Sequence, residues 1–540
     1  MTSAGATFTW NSHAGQALLG IAGCVLSGVV FLVGGLPVML GLVLLLFAPA
    51  PALIIGFVAL SYFRIPEAYP ILLPLQLPLA FGLAALGSII LTIVQTPEPI
   101  ARGRTMWLAL AGLASLGAGI LLMGNWAAHT RLPIIVAMVL ASGAIYAWYR
   151  TLDTMNAVPW RAEVPLTVAF FVIVAMSVAL SIYPANSVHF WSQSFWKIAV
   201  MTLVLAWLIR SATDYRLALW ILVGSGGLIA LKTGYNWYHE IDLVEGTRVT
   251  IGRTLFSTPE DIANAVPGQA IQGGSQLGDP NDLALVLLYP VGLALAVLLK
   301  VGIRTGLGKF CLVVLPMLIL AIIATQSRGG ALGVVTVFAT VGMFYVRSKL
   351  VLALAAVIGI FGLVIAMDIG SRQSGGLAEI ESEGIDRSAL ERLHAWSAAI
   401  SMTAHRPLRG VGLDNFSSQF RTHTPVWSGR NMAAHSTWFE VMAETGLAGI
   451  ALLIAIVLVL LRSLWRTWNI LKDQDADPVY AAFCIGLLAG LLGFCASGTF
   501  LSQGFRWPLY LQIGFTAALA CTALQLRNQN RRGTRQDELG

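Results

Sequence analysis

The segment Ala434-His435-Ser436-Thr437-Trp438-Phe439-Glu440, followed by Glu444-Thr445-Gly446-Leu447-Ala448-Gly449, holds the residues best suited to moving a proton. His435 ends a long polar stretch and stands just before an apolar run. Thr437 and Glu440 have capping-box spacing, so the threonine is expected to accept an orphan N–H as a helix starts. An imidazole ahead of a helix N-terminus sits in a positive potential that favours its neutral, basic form. A neutral histidine at such a place is a candidate general base; the plainer reading is an interfacial histidine bonded to a loop carbonyl. The second candidate, Thr325-Gln326-Ser327-Arg328-Gly329-Gly330, sets an arginine between two apolar runs. There it must meet an anion, a carboxylate or water, or snorkel to the interface. The flanking glycines let a ligand approach the backbone, which favours a ligand site. The third, Gly278-Asp279-Pro280-Asn281-Asp282, opens another apolar run and follows Arg248 and Arg253. Asp and Asn here are expected to cap a helix whether or not they touch a ligand.

The elements that position these groups follow from composition. Of 540 residues, 57% are hydrophobic and 11% charged, and the mean hydropathy is +0.77. Soluble chains carry about 25% charged residues, so a soluble enzyme, a disordered chain and a nucleic-acid-binding domain are excluded. A membrane helix needs roughly 20 apolar residues. Such runs lie at 72–94, 106–123, 133–149, 164–183, 194–209, 214–233, 282–299, 309–325, 330–346, 350–369, 436–461, 479–499 and 506–526. The stretch 17–63, broken by Gly34-Gly35-Leu36-Pro37 and Ala48-Pro49-Ala50-Pro51, holds one to three more. The expected fold is an all-α polytopic transmembrane helix bundle of about 12–15 spans, with a long, partly helical periplasmic loop. Residues 1–160 form unassigned N-terminal spans, 161–526 the core, and 527–540 a basic cytoplasmic tail. The first basic residue is Arg64, so no cleavable signal peptide is expected.

Orientation follows from the basic short loops. With the tail in the cytoplasm, Arg462/Arg466/Lys472, Arg347/Lys349, Lys300/Arg304/Lys309, Arg210/Arg216, Arg150/Arg161 and Arg102/Arg104 are all cytoplasmic. The long loops 235–281 and 370–435 then face the periplasm, and both contain Arg but no Lys. A guanidinium fork binds phosphate oxygens bidentately, as an ammonium cannot. Seven arginines lie in 370–435, most of them balancing loop carboxylates; of these Arg392 is assigned to substrate binding. Within that loop, Asp386 to Thr403 spaces Leu390, Leu393, Trp396 and Ile400 as an amphipathic helix near the membrane surface, stopped by Pro407. Gly410-Val411-Gly412-Leu413-Asp414-Asn415-Phe416 reads as a tight turn.

Other signals are set aside. Asp473, Asp475 and Asp477 mimic a metal-binding acidic motif but fall in a short cytoplasmic loop, on the wrong side from the other candidates. The five cysteines lie in apolar runs and read as buried thiols. No P-loop, nucleophile elbow or His–Glu–x–x–His is present.

Taken together, these features resemble the O-antigen ligase and polymerase superfamily, integral glycosyltransferases of the bacterial inner membrane. His435-Ser436, nine residues and Gly446-Leu447-Ala448-Gly449 are similar to its His–[Asn/Ser/Gln]–x9–Gly–x–x–[Gly/Thr/Tyr] signature. Ser327-Arg328-Gly329 resembles its Ser–Arg–Gly segment. Gly278 to Asp282 and Pro407-Leu408-Arg409-Gly410 to Phe416 resemble two further recurrent stretches. The likeness covers roughly 190–465, and residues 1–160 match nothing recognisable. It implies a multi-pass inner-membrane enzyme that moves a glycan from undecaprenyl pyrophosphate to a hydroxyl acceptor at the periplasmic face, with no metal and no cofactor. The acceptor would be lipid A core, another lipid-linked glycan in a polymerase, or a protein hydroxyl. His435 would act as base, and Arg328 with Arg253 or Arg248 would hold the diphosphate. A secondary transporter is the reading from a different class; against it stand the lack of paired Gly/Pro-broken helices and the few mid-span ionisable residues, Glu444 excepted.

Overall fold

The fold is described from a computed structural model over residues 50–69, 162–239, 280–348, 387–427, 431–474 and 476–537, with Gly429 and scattered positions in 72–82 and 350–362. Expectations for Arg248, Arg253, Gly278, Asp279, the spans within 83–161, and Asp475 lie outside the described residues. The described residues are helical and include no strand.

Two helices near the N-terminus, α1 (Ala50–Tyr62) and α2 (Ile65–Ala68), pack against the core that follows. Then come α3 (Glu163–Ala179), α4 (Pro184–Phe190), a π-helical turn (Trp191–Phe195), α5 (Trp196–Leu208) and α6 (Ala212–Tyr238). After them run α7 (Pro280–Lys300), α8 (Gly306–Ala324), α9 (Arg328–Gly342), α10 (Arg387–His405) and α11 (Phe416–His423). The last three are α12 (Thr437–Leu471), α13 (Pro478–Gly498) and α14 (Trp507–Asp537), the last continuing through the basic segment expected to be a tail. Among the described residues, α6, α7, α8, α12, α13 and α14 are long and apolar enough to cross a membrane. The chain is an all-α, multi-pass membrane bundle.

Helix α13 lies along α7 and α9, while α14 lies against α5 and α12. Helices α7, α13 and α14 bury nearly all their large side chains, among them Leu287, Leu293, Phe483, Leu487, Tyr510 and Phe515. The outer ones keep an apolar face: Leu228 and Leu231 on α6, Leu312 and Leu320 on α8, Ile454 and Leu458 on α12. A face of that kind fits hydrocarbon, not water.

One end of the bundle holds the starts of α7, α9, α12 and α14; the opposite end holds the basic short connections. There Arg216 pairs with Asp477 across α6 and α13, and the Lys300 ammonium stands 4.8 Å from the Trp468 ring centroid. Asp477 also caps α13 through the Val479 N–H, 3.0 Å away. The tempting aspartate thus serves as a helix cap and an ion-pair partner.

The π-helical turn lets α4 and α5 run on as one path while realigning their aromatic faces. Phe195 is fully buried and packs its ring 5.9 Å from Phe505 and 5.6 Å from Tyr510. That contact fixes where α14 begins, and so where the connection leading into it lies.

Helix α10 forms where the apolar spacing places it and ends ahead of Arg406-Pro407. Its packed face is lined by small residues that the apolar spacing did not mark. Ala395, Ala398, Ala399 and Met402 are fully buried, whereas Leu393 and Ile400 are more than half exposed. Small side chains let α10 approach α12 closely, and that contact outweighs the burial of two isolated leucine-sized groups.

Candidate active site

His435 has φ 48°, a left-handed residue directly before Ser436, which is the N-cap position of α12. Gln326 repeats this geometry with φ 51° ahead of Ser327, the N-cap of α9, so Arg328 is the first residue of that helix. Asp414, φ 58°, does the same ahead of Asn415 and α11. Left-handed non-glycine residues are uncommon and cluster at functional sites and sharp reversals. Here each turns the chain from a connection into a helix whose first N–H groups face the same end of the bundle.

The Ser327 hydroxyl accepts from the Gly330 N–H at 3.1 Å and donates to Asn281 Oδ1 at 2.6 Å. It caps α9 and ties it to the first turn of α7. Asn281 and Asp282 therefore reach across to other elements: Asp282 Oδ1 accepts from Gln503 Nε2 at 2.6 Å.

The capping box expected at Thr437 and Glu440 is not formed. The cap position belongs to Ser436, and Thr437 opens the helix. Thr437 Oγ1 donates to the Leu501 carbonyl at 2.8 Å and accepts from the Gln503 N–H at 3.3 Å. Glu440 Oε2 accepts from the Gly504 N–H at 2.8 Å. The connection 499–506 carries backbone groups that no helix satisfies, and these two side chains satisfy them instead.

That connection brings the arginine and histidine segments to one place. A Cβ on Gly329 would stand 3.5 Å from Ser497 Oγ, and one on Gly498 would stand 3.1 Å from Thr437 Oγ1. The residues after Arg328 and after Ser436 thus touch consecutive residues at the end of α13. Trp438 Nε1 adds a 3.1 Å bond to Thr499. Arg328 is exposed and His435 partly exposed at this mouth. Arg392 lies on α10 one turn before Trp396, whose ring stacks 5.2 Å from Phe439 and lies 6.4 Å from Phe500. It is partly buried and on the side of α10 that meets the site.

The glycine half of the histidine signature has a separate task. Gly446, φ 75° and ψ −171°, breaks α12 in a region that essentially only glycine occupies. A Cβ there would stand 2.6 Å from the Pro407 carbonyl oxygen. The break frees backbone groups, which the 407–412 turn pairs. Leu447 N–H donates to Pro407 O at 2.7 Å, Val411 N–H to Ala443 O at 2.9 Å, and Gly412 N–H to Glu444 O at 3.1 Å. Buried Glu444 completes the seam, its carboxylate accepting from the Asp414 and Phe416 N–H groups at 2.8 and 3.1 Å. Glu444, which looked like a transport-type charge in mid-span, anchors this turn and the start of α11.

Sequence reasoning missed Arg506. Its guanidinium lies 4.7 Å over the Phe190 ring; burial disfavours its charge, and the carboxylates of Glu440, Asp414 and Asp282 favour it. The signal was slight: an arginine at the lip of an apolar run, in a short connection.

Among the described residues no cluster of His, Cys, Asp or Glu has the form of a metal site. Residues 312–454 match the family model described as O-antigen ligase. The match takes in Arg328, Arg392 and His435, and leaves out the start of α7 and the 499–506 connection. No curated protein matches the chain. Residues 312–454 thus form a region similar to O-antigen ligase, which supports a place for the chain in the O-antigen ligase and polymerase superfamily of membrane glycosyltransferases.

Proposed function

We propose that the chain transfers a glycan from undecaprenyl pyrophosphate to a hydroxyl acceptor, lipid A core in the ligase reading, at the periplasmic face of the bacterial inner membrane. The observation that carries this reading is the convergence of two helix starts, one led by His435 and one by Arg328, on consecutive residues at the end of α13. Such starts present N–H groups and a favourable potential to an anion. His435 takes the proton of the acceptor hydroxyl as its oxygen attacks the anomeric carbon. The bond from that carbon to the diphosphate oxygen breaks, and the electron pair leaves with undecaprenyl pyrophosphate. Arg328 stabilises that charge with its planar fork, and Arg392, Arg253 and Arg248 complete the hold on the donor. We assign no metal to the reaction.

The test is transfer by purified protein in detergent, with a lipid-linked glycan donor and separate acceptors: lipid A core, a second lipid-linked glycan, and a protein hydroxyl. Glycan appearing on lipid A core, undiminished by EDTA, is the expected result. Transfer to the second lipid-linked glycan alone would make the chain a polymerase. Transfer to none of the three would overturn the reading, and loss on EDTA restored by magnesium or manganese would overturn the metal-free mechanism.

A further inference from the structure

The 499–506 connection lies outside the segment that matches the family, yet it ties two separated sequence motifs together at the site. Gln503 Nε2 holds Asp282 at the start of α7 at 2.6 Å. Gly504 N–H holds Glu440 in the first turns of α12 at 2.8 Å. Asp414 comes from the turn that Glu444 anchors, and its backbone N–H is held at 2.8 Å. Arg506 ends the connection with its guanidinium seated on Phe190. Burial disfavours the charge of this guanidinium, and the carboxylates of Glu440, Asp414 and Asp282 favour it, while Arg64 opposes it and His189 also faces Asp414.

Left alone, such a set of carboxylates would repel a donor that carries a diphosphate. Two unit charges about 10 Å apart still interact by about 1–2 kcal/mol near a protein surface. We propose that Arg506 is a positioning residue of the transfer site, its guanidinium offsetting part of the negative charge of Glu440, Asp282 and Asp414 so that the anionic donor can settle against Arg328. Arg506 serves through charge balance at the mouth and does not touch the reacting atoms. The seat on Phe190 and the clamps at Gln503 and Gly504 hold that charge in place. The inference rests on the transfer reading above.

The experiment is steady-state transfer by purified full-length protein, varying donor concentration and salt, for wild type, Arg506→Gln, Arg506→Lys, Glu440→Gln and the Arg506→Gln/Glu440→Gln double variant. Arg506→Gln should raise KM for the donor about tenfold or more and leave kcat within about threefold. Its KM should fall as salt screens the repulsion, opposite to the wild-type trend. The double variant, with one negative charge removed and an amide oxygen still able to accept from Gly504, should recover most of the loss. Arg506→Lys should also lie near wild type. An unchanged KM in Arg506→Gln, or a loss that the double variant and Arg506→Lys leave intact, would overturn the proposal. If Arg506→Gln does not accumulate, Glu440→Gln decides, since it should lower donor KM several-fold; an unchanged KM there counts against it. Wild-type protein that transfers to no acceptor would instead sink the transfer reading itself.

Discussion

Histidine and arginine earn separate tests because each has a plain structural alternative at the same position. If His435 only turned the chain into α12, glutamine would serve nearly as well, since the left-handed φ of 48° is a backbone matter. We expect His435→Gln to lose transfer by about 10²–10³-fold at wild-type protein level, the usual effect of removing one group that acts in the transition state. If Arg328 only snorkelled, lysine would replace it; we expect Arg328→Lys to lose a comparable factor because an ammonium cannot grip the diphosphate bidentately. Near-normal kcat for either variant, on purified protein with defined donor, removes that residue from the mechanism. Both residues stood out in the sequence as candidates because charged and titratable groups are rare in so apolar a chain, and their neighbours formed recognisable motifs. Arg506 did not, because an arginine at the lip of an apolar run has the same spacing whether it snorkels or faces carboxylates brought in by distant segments. The box at Thr437 and Glu440 failed for a related reason: local spacing cannot show that a connection sixty residues later offers unpaired backbone groups to the same two side chains.

At the scale of elements, apolar runs predicted the long helices because a membrane-crossing segment needs little beyond length and hydrophobicity. What they could not show was the break at Gly446, hidden inside a run that reads as unbroken, or the seam it opens for the 407–412 turn. That seam yields a prediction. Gly446→Ala must hold a backbone conformation that costs about 1–3 kcal/mol for a non-glycine residue, and its Cβ meets the Pro407 carbonyl at 2.6 Å. We expect a lower thermal midpoint in detergent, and activity lost in step with unfolding at temperatures where wild type is intact. Unchanged stability would mean that the seam contributes nothing. Helix α10 offers the complementary case. Its large apolar spacing marked the helix but not the small-residue face that packs on α12, because alanines, weakly hydrophobic singly, gain by letting helices approach. Ala399→Leu should therefore destabilise by about 1–3 kcal/mol through overpacking, whereas Leu393→Gln on the exposed face should change stability little. The reverse order, read from detergent melts, would restore the leucine face.

At the scale of the whole molecule, the arrangement of charge defines two unlike ends, and the proposed chemistry needs one of them outside. The site end carries Arg328, Arg392 and Arg506 with Asp282, Asp414 and Glu440. The other carries Arg216, Lys300 and the starts of α6, α8 and α13, with Lys300 set against Trp468 and Tyr345 as a basic group in an aromatic interface. Short basic connections gathered at one end would place that end in the cytoplasm by the positive-inside rule, in keeping with the proposed periplasmic site. Ser397 on α10 and Ser348 beyond α9 are both exposed and belong to opposite ends. In a cysteine-free background, Ser397→Cys should react with a membrane-impermeant maleimide in intact spheroplasts, and Ser348→Cys only after lysis. The reverse pattern would place His435 in the cytoplasm. A donor presented at the periplasmic surface could not then reach it, so topology and mechanism would fall together.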